Sequence, residues 1–147
     1  MFIVFGIGQI LNAGPIVGNG GDGMALEFSE VALSLPKLLQ QWPDRPDTID
    51  LDAFLQTINS LTVNTADKLE LDGIQKDAIN YPEENRIVLR REGWKDLKLT
   101  NKYALALHEL MGLRGINDVN YIISRNFLSY LNSFSNEWAV LPAGWLS

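Results

Sequence analysis

The chain has 147 residues, 46% hydrophobic and 20% charged, a length and balance that suit one globular domain with a substantial core. Its formal net charge of −6 argues against a nucleic-acid partner, which would call for a basic stripe. There is no cysteine, which excludes a disulfide framework, thiol catalysis and a cysteine-held metal.

Residues 1–13, MFIVFGIGQILNA, are apolar and uncharged. The run is too short to span a bilayer. It reads as a signal-peptide core with Ala13 at the cleavage position but without the basic start, or as a buried N-terminal strand. The first reading is preferred, and it makes the protein an exported one, periplasmic or extracellular. Residues 14–23 are glycine-rich and carry neither the Lys-Ser/Thr of a phosphate loop nor the dinucleotide fingerprint. They are expected to be a flexible segment ahead of a single domain over residues 24–147.

Met24, Phe28, Val31, Ala32 and Leu35 recur at helical spacing, with Asp22 as a candidate cap. Pro36 then kinks this helix or opens a second one carrying Leu38, Leu39 and Trp42. Residues 43–47, with two prolines, break the pattern. Asp50 caps a helix with Leu51, Phe54, Leu55 and Ile58 on one face. Residues 61–65 and 68–71 read as extended, and Asp72-Gly73 is a hairpin signal leading into residues 74–76. Residues 81–85 form a turn before a strand over residues 86–90. Thr100 or Asn101 caps the next helix, and a last amphipathic helix carries Ile122, Ile123, Phe127, Tyr130, Leu131 and Phe134. The tail with Trp138, Leu141, Pro142 and Trp145 packs as an irregular segment. Helices, then a small and mostly antiparallel sheet, then helices again make an α+β fold.

The chemistry concentrates in residues 103–118. From Tyr103 to Leu113 the helix is apolar around nearly its whole circumference, which marks a buried helix. His108, the single histidine of the sequence, and Glu109 interrupt it. Two adjacent ionisable groups in a buried helix need a partner or a metal. A zinc hydrolase helix carries two histidines at i and i+4, both facing the metal, and a glutamate beside the first as general base. Here Gly112 stands at i+4, while Gly115 and Asp118 fall where the extended motif has its glycine and its last ligand. Each also has a plainer explanation. A lone histidine is more often a hydrogen-bonded core residue, Gly115 suits a helix C-terminus, and Asp118 suits the cap of the next helix. Gly112 is harder to dismiss, because mid-helix glycine costs up to about 1 kcal/mol against alanine. It leaves room for a close-approaching backbone or for a small group beside His108.

This pattern resembles the zincin metallopeptidases, particularly the metzincin-like branch, with Gly in place of the second ligand histidine. The resemblance implies His108 and Asp118 as metal ligands, Glu109 as the base, and a cleft bordered by the strand Ile87, Val88, Leu89, Arg90 and Arg91, which would pair with extended substrate. A narrower likeness, to uncharacterised exported bacterial proteins, rests on residues 18–22 (GNGGD), residues 108–112 (HELMG), residues 76–82 (KDAINYP) and Trp94. With Gly112 unable to coordinate, a zinc would keep two ligands where catalysis normally uses three and a water. The expectation is therefore an exported zincin-like domain without peptidase activity and without a cofactor, binding an extended peptide or protein partner by strand pairing. The alternative is a zinc-dependent hydrolase with an atypical ligand set, completed by a carboxylate such as Asp77 or Glu92.

Overall fold

A computed structural model describes residues 16–17 and 23–134. The fold runs from a two-residue strand β1 (Ile16–Val17) into helix α1 (Gly23–Gln41), helix α2 (Leu51–Asn59) and strand β2 (Thr62–Ala66). A hairpin of β3 (Glu70–Leu71) and β4 (Ile74–Gln75) follows, then β5 (Ala78–Tyr81), β6 (Arg86–Arg90), the short α3 (Arg91–Lys95), α4 (Leu99–Leu113) and α5 (Ile122–Asn132). The α+β class holds, with helices before and after a small sheet. Asp22, residues 1–13 and the tail tryptophans lie outside the described residues.

Local sequence explains most boundaries. Asp50 is the N-cap of α2, accepting hydrogen bonds from the amides of Asp52 at 3.0 Å and Ala53 at 3.3 Å. Asp72 and Gly73 both take positive φ, 54° and 78°, the conformation demanded by a tight two-residue hairpin. Asn85 also takes a left-handed turn, and its side-chain amide donates to the Thr57 carbonyl and the Ser60 hydroxyl. Pro36 neither ends nor divides α1, which runs unbroken through it. The cap expected at Thr100 or Asn101 is corrected: α4 begins at Leu99, and both residues sit inside its first turn. Leu55, expected on the buried face of α2, is exposed, whereas Phe54 and Ile58 are buried.

Two corrections concern the sheet. Its order is β1-β2-β6-β5, with β1–β2 and β2–β6 parallel and β5–β6 antiparallel, so it is mixed rather than mostly antiparallel. The residues Ile16 and Val17, in the stretch expected to be flexible, pair with Thr62 and Val63. Moreover, β6 lies between β2 and β5 with both of its edges occupied, and Arg91 already belongs to α3. Ile87, Val88, Leu89 and Arg90 therefore offer no backbone edge to a peptide. Burial agrees: Ile87 and Leu89 join the main core, and Val88 packs on the opposite face with Leu69 and Ile79. A strand covered on both faces needs a continuous apolar run, and Ile-Val-Leu supplies it.

The main core gathers α1, α2, α4 and α5 on one face of the sheet. Trp94 and Phe28 meet at 5.2 Å between ring centroids, as do Trp42 and Phe127. The Trp94 indole N–H donates to Glu27 Oε1 at 2.7 Å, and Lys102 Nζ donates to the same oxygen at 2.8 Å. Buried polar ends are thus satisfied at the core margin, and α4 is fixed between α1, α5 and the edge strand β5.

Candidate functional site

Helix α4 carries the His–Glu pair, and its packing decides which way each of the two residues looks. Tyr103, Ala106, Leu107, Leu110 and Met111 are fully buried, which leaves His108 and Glu109 on the margin toward β5 and the start of α5. The helix ends where glycine permits. Gly115 has φ 73°, and the Ile116 amide returns to the Met111 carbonyl at 2.9 Å, a left-handed C-terminal turn. That turn carries Asp118 back onto the helix it has just left.

His108 Nδ1 lies 2.8 Å from Asp118 Oδ2. The Asp118 carboxylate also accepts from the Ser124 hydroxyl at 2.6 Å and from the amides of Ile123 at 2.7 Å and Ser124 at 3.3 Å. It therefore caps the first turn of α5 while holding the imidazole. Burial raises its pKa, but the hydrogen bonds from Ser124, His108 and the two amides outweigh that and hold it below the ordinary 3.8. An ionised Asp118 makes Nδ1 the donor, so in the neutral ring the lone pair sits on Nε2. Tyr121 stacks on the imidazole, with centroids 4.1 Å apart and planes 24° from parallel. It reaches this position from a left-handed backbone at φ 59°, directly after Asn120 at φ 52°. Two successive non-glycine residues in that region store strain of about 1–3 kcal/mol each, which the Asp118 contacts and the ring stacking must offset.

Glu109 is 4% exposed and accepts a hydrogen bond from Asn80 Nδ2 at 2.9 Å. Burial raises its pKa above the ordinary 4.5, although Asn80, His108 and Lys76 pull the other way. Asn80 comes from β5, and its amide occupies the space over Gly112. A Cβ at residue 112 would stand 2.3 Å from Asn80 Nδ2 and 2.8 Å from its Cγ. The mid-helix glycine thus makes room for a side chain, neither for a backbone nor for a ligand beside His108. Sequence reasoning missed Asn80, and Gly112 was the signal that pointed toward it.

A cleft of about 250 Å³ opens over the pair, lined by Leu71, Lys76, Ala78, Ile79, Asn80, His108, Glu109 and Tyr121. A neighbouring pocket of about 570 Å³ shares Lys76, Ala78, Glu109 and Tyr121 and reaches Gln75, Asp77, Arg90 and Leu105. Of the residues assigned to a strand bordering the cleft, only Arg90 lines either pocket, and its guanidinium is paired with Asp77 at 2.7 Å. The strand that does border the cleft is β5.

His108 meets Asp118, while the neighbouring Glu109 meets Asn80, a relation other than the one the motif implies. Asp118 supports the imidazole from behind rather than facing a metal beside it. The place of a second ligand is filled by Asn80. Among the described residues no group of three His, Cys, Asp or Glu side chains is placed to hold a metal ion. The arrangement does not fit the three-ligand zinc that the zincin resemblance implies. No helix among the described residues is long and apolar enough to cross a membrane. No family model, curated protein or solved structure matches the sequence or its fold.

Proposed function

We propose that this protein is an exported zincin-like domain whose cleft binds an extended peptide or protein segment along strand β5, without zinc-peptidase chemistry. The observation that carries this reading is the position of Asn80. It stands on an edge strand, fills the space over Gly112 and hydrogen-bonds Glu109. Edge strand and His–Glu helix thereby form the two sides of one cleft. Export rests on the apolar residues 1–13 and on the resemblance to exported bacterial proteins.

The edge has the right chemistry for strand addition. Arg90 N–H donates to the Asp77 carbonyl at 2.8 Å, and the register pairs Ile79 with Val88 and Tyr81 with Arg86. Backbone bonding in an antiparallel pair alternates, so Ala78 and Asn80 turn their N–H and C=O groups away from β6. Among the described residues no strand pairs with that side. An unpaired strand edge beside a partly apolar cleft is where an extended segment gains both main-chain bonds and side-chain pockets.

The test is capture from a random peptide display library, followed by Ala78→Pro. Proline there removes an outward amide and leaves the β5–β6 ladder intact, so the fold measured by circular dichroism should persist while captured peptides are lost. Undiminished binding by a folded Ala78→Pro protein would place the peptide elsewhere. For the missing chemistry, the protein should leave a quenched fluorogenic peptide pool uncut in added zinc chloride. Cleavage that disappears in His108→Ala would restore the metallohydrolase reading.

A further inference from the structure

We propose that His108 Nε2 is the general base of a metal-independent ester hydrolase site, with water as the nucleophile and Asp118 as the residue that positions the imidazole. This goes beyond peptide binding and needs no strand added to β5. Asp118 Oδ2 holds Nδ1 at 2.8 Å, and the Asp118 side chain is 1% exposed against 23% for His108. The bond is shielded from water while part of the ring is not. Nε2 has no hydrogen-bond partner among the described residues, and it is not sealed in the interior either. His108 lines the cleft of about 250 Å³, and with Nδ1 taken up by Asp118 the nitrogen free to meet a substrate proton is Nε2. Tyr121, stacked on the ring at 4.1 Å, fixes its plane. A base whose far nitrogen is tied to a buried carboxylate and whose near nitrogen is open has the orientation that proton abstraction requires.

The side chains around it select the reaction. Among the described residues lining the cleft there is no serine, threonine or cysteine, so the nucleophile is water. Glu109, the other candidate base, is 4% exposed, and its Oε1 is taken by the Asn80 amide. Lys76 is half-buried in the same cleft and supplies a cation for developing negative charge. In the proposed step His108 Nε2 takes a proton from water as the water oxygen bonds to the ester carbonyl carbon. The π pair of the carbonyl moves onto its oxygen, with Lys76 as the stabilising charge. The carbonyl then re-forms, the bond to the leaving oxygen breaks, and that oxygen takes the proton back from Nε2. The products are an alcohol and a carboxylic acid that releases its own proton to solvent, and His108 ends neutral. An amide nitrogen leaves far less readily than an ester oxygen, which makes esters rather than peptides the substrate class. Leu71, Ile79 and Tyr121 receive the acyl chain, which the small volume of the cleft limits to a short one.

His108 is the single histidine of the sequence, so its chemistry can be read alone. Nitrogen-15 NMR in mildly alkaline buffer should show the hydrogen on Nδ1; a hydrogen on Nε2 overturns the proposal. In EDTA, p-nitrophenyl acetate and butyrate should be hydrolysed about 100-fold or more faster than by free imidazole at the same concentration. His108→Gln should return the rate to background. Where that variant does not fold, carbethoxylation of the wild-type histidine by diethyl pyrocarbonate should abolish the activity and hydroxylamine should restore it. Asp118→Asn should lower kcat and raise the share of the Nε2–H tautomer, a change that loss of a structural contact alone would not produce; an unchanged tautomer and kcat remove Asp118 from its positioning role. Lys76→Met should lower kcat about tenfold or more, and an unchanged kcat removes Lys76 from the site. Rates no faster than imidazole, or rates unmoved by His108→Gln or by carbethoxylation, overturn the proposal. So does activity that EDTA removes and zinc restores, which would belong to a metallohydrolase.

Discussion

Gly112→Ala is the sharpest perturbation of the site, because ordinary helix energetics predict the wrong sign for it. Alanine in a helix interior is favoured over glycine by up to about 1 kcal/mol. At residue 112 the new Cβ would stand 2.3 Å from Asn80 Nδ2 and 2.9 Å from its Oδ1, distances at which the amide must move. That amide is the donor to Glu109, a residue only 4% exposed. Leaving a buried polar group unsatisfied costs about 1–3 kcal/mol. Taking the middle of that range against the propensity gain, Gly112→Ala should destabilise the protein by about 1 kcal/mol. In an Asn80→Ala background the obstruction and the bond are both gone, and the same change should stabilise by about 1 kcal/mol. The coupling in the double-mutant cycle is then about 2 kcal/mol, well above the few tenths expected of independent sites. Urea unfolding of the four proteins measures it. Equal stabilisation by alanine in both backgrounds would refute the claim that Asn80 owns the space over Gly112.

Two further predictions concern the carboxyls. The folded-state pKa of Glu109 lies above its ordinary 4.5, so the native protein holds a proton that the unfolded one releases. Its contribution is full below pH 4.5 and is lost as pH rises through the folded value; Glu109→Gln should flatten that part of the stability profile, and an unchanged slope would show that the raised pKa belongs to another group. Asp118 runs the opposite way, contributing above its ordinary 3.8 and losing that contribution as pH falls through a lower folded value. Asp118→Ala strands two α5 amides and the His108 ring N–H together, and leaves the Ser124 hydroxyl only its longer bond to the Tyr121 carbonyl at 3.3 Å. A loss of about 3 kcal/mol is expected, with a shift of the single histidine ring in NMR spectra; a loss below about 1 kcal/mol would make the Asp118 network incidental.

The parts of this fold that are legible in the sequence are those governed by near neighbours. Asp50, Asp72-Gly73 and Gly115 each act through backbone geometry within a few residues, and each does what its residue type dictates. The meeting of His108 with Asp118 is also within reach, since a left-handed turn at Gly115 lies between them and the motif spacing implies it. Relations between distant segments are not. Family likeness puts strand β6 at the cleft border, although its own Ile-Val-Leu run bears the mark of a strand covered on both faces. An edge strand has a lighter apolar demand, and Ala-Ile-Asn-Tyr at β5 meets it with small and polar residues that give little periodic signal. Asn80 shows why this matters for function. A polar residue at an edge is unremarkable on its own, and a helical glycine 32 positions later is merely unfavourable on its own. Each is explained by the other, since the amide needs the absent Cβ and Glu109 needs the amide. A glycine that costs a helix stability therefore poses a question about what lies against it, and here the answer is the amide of Asn80 on strand β5.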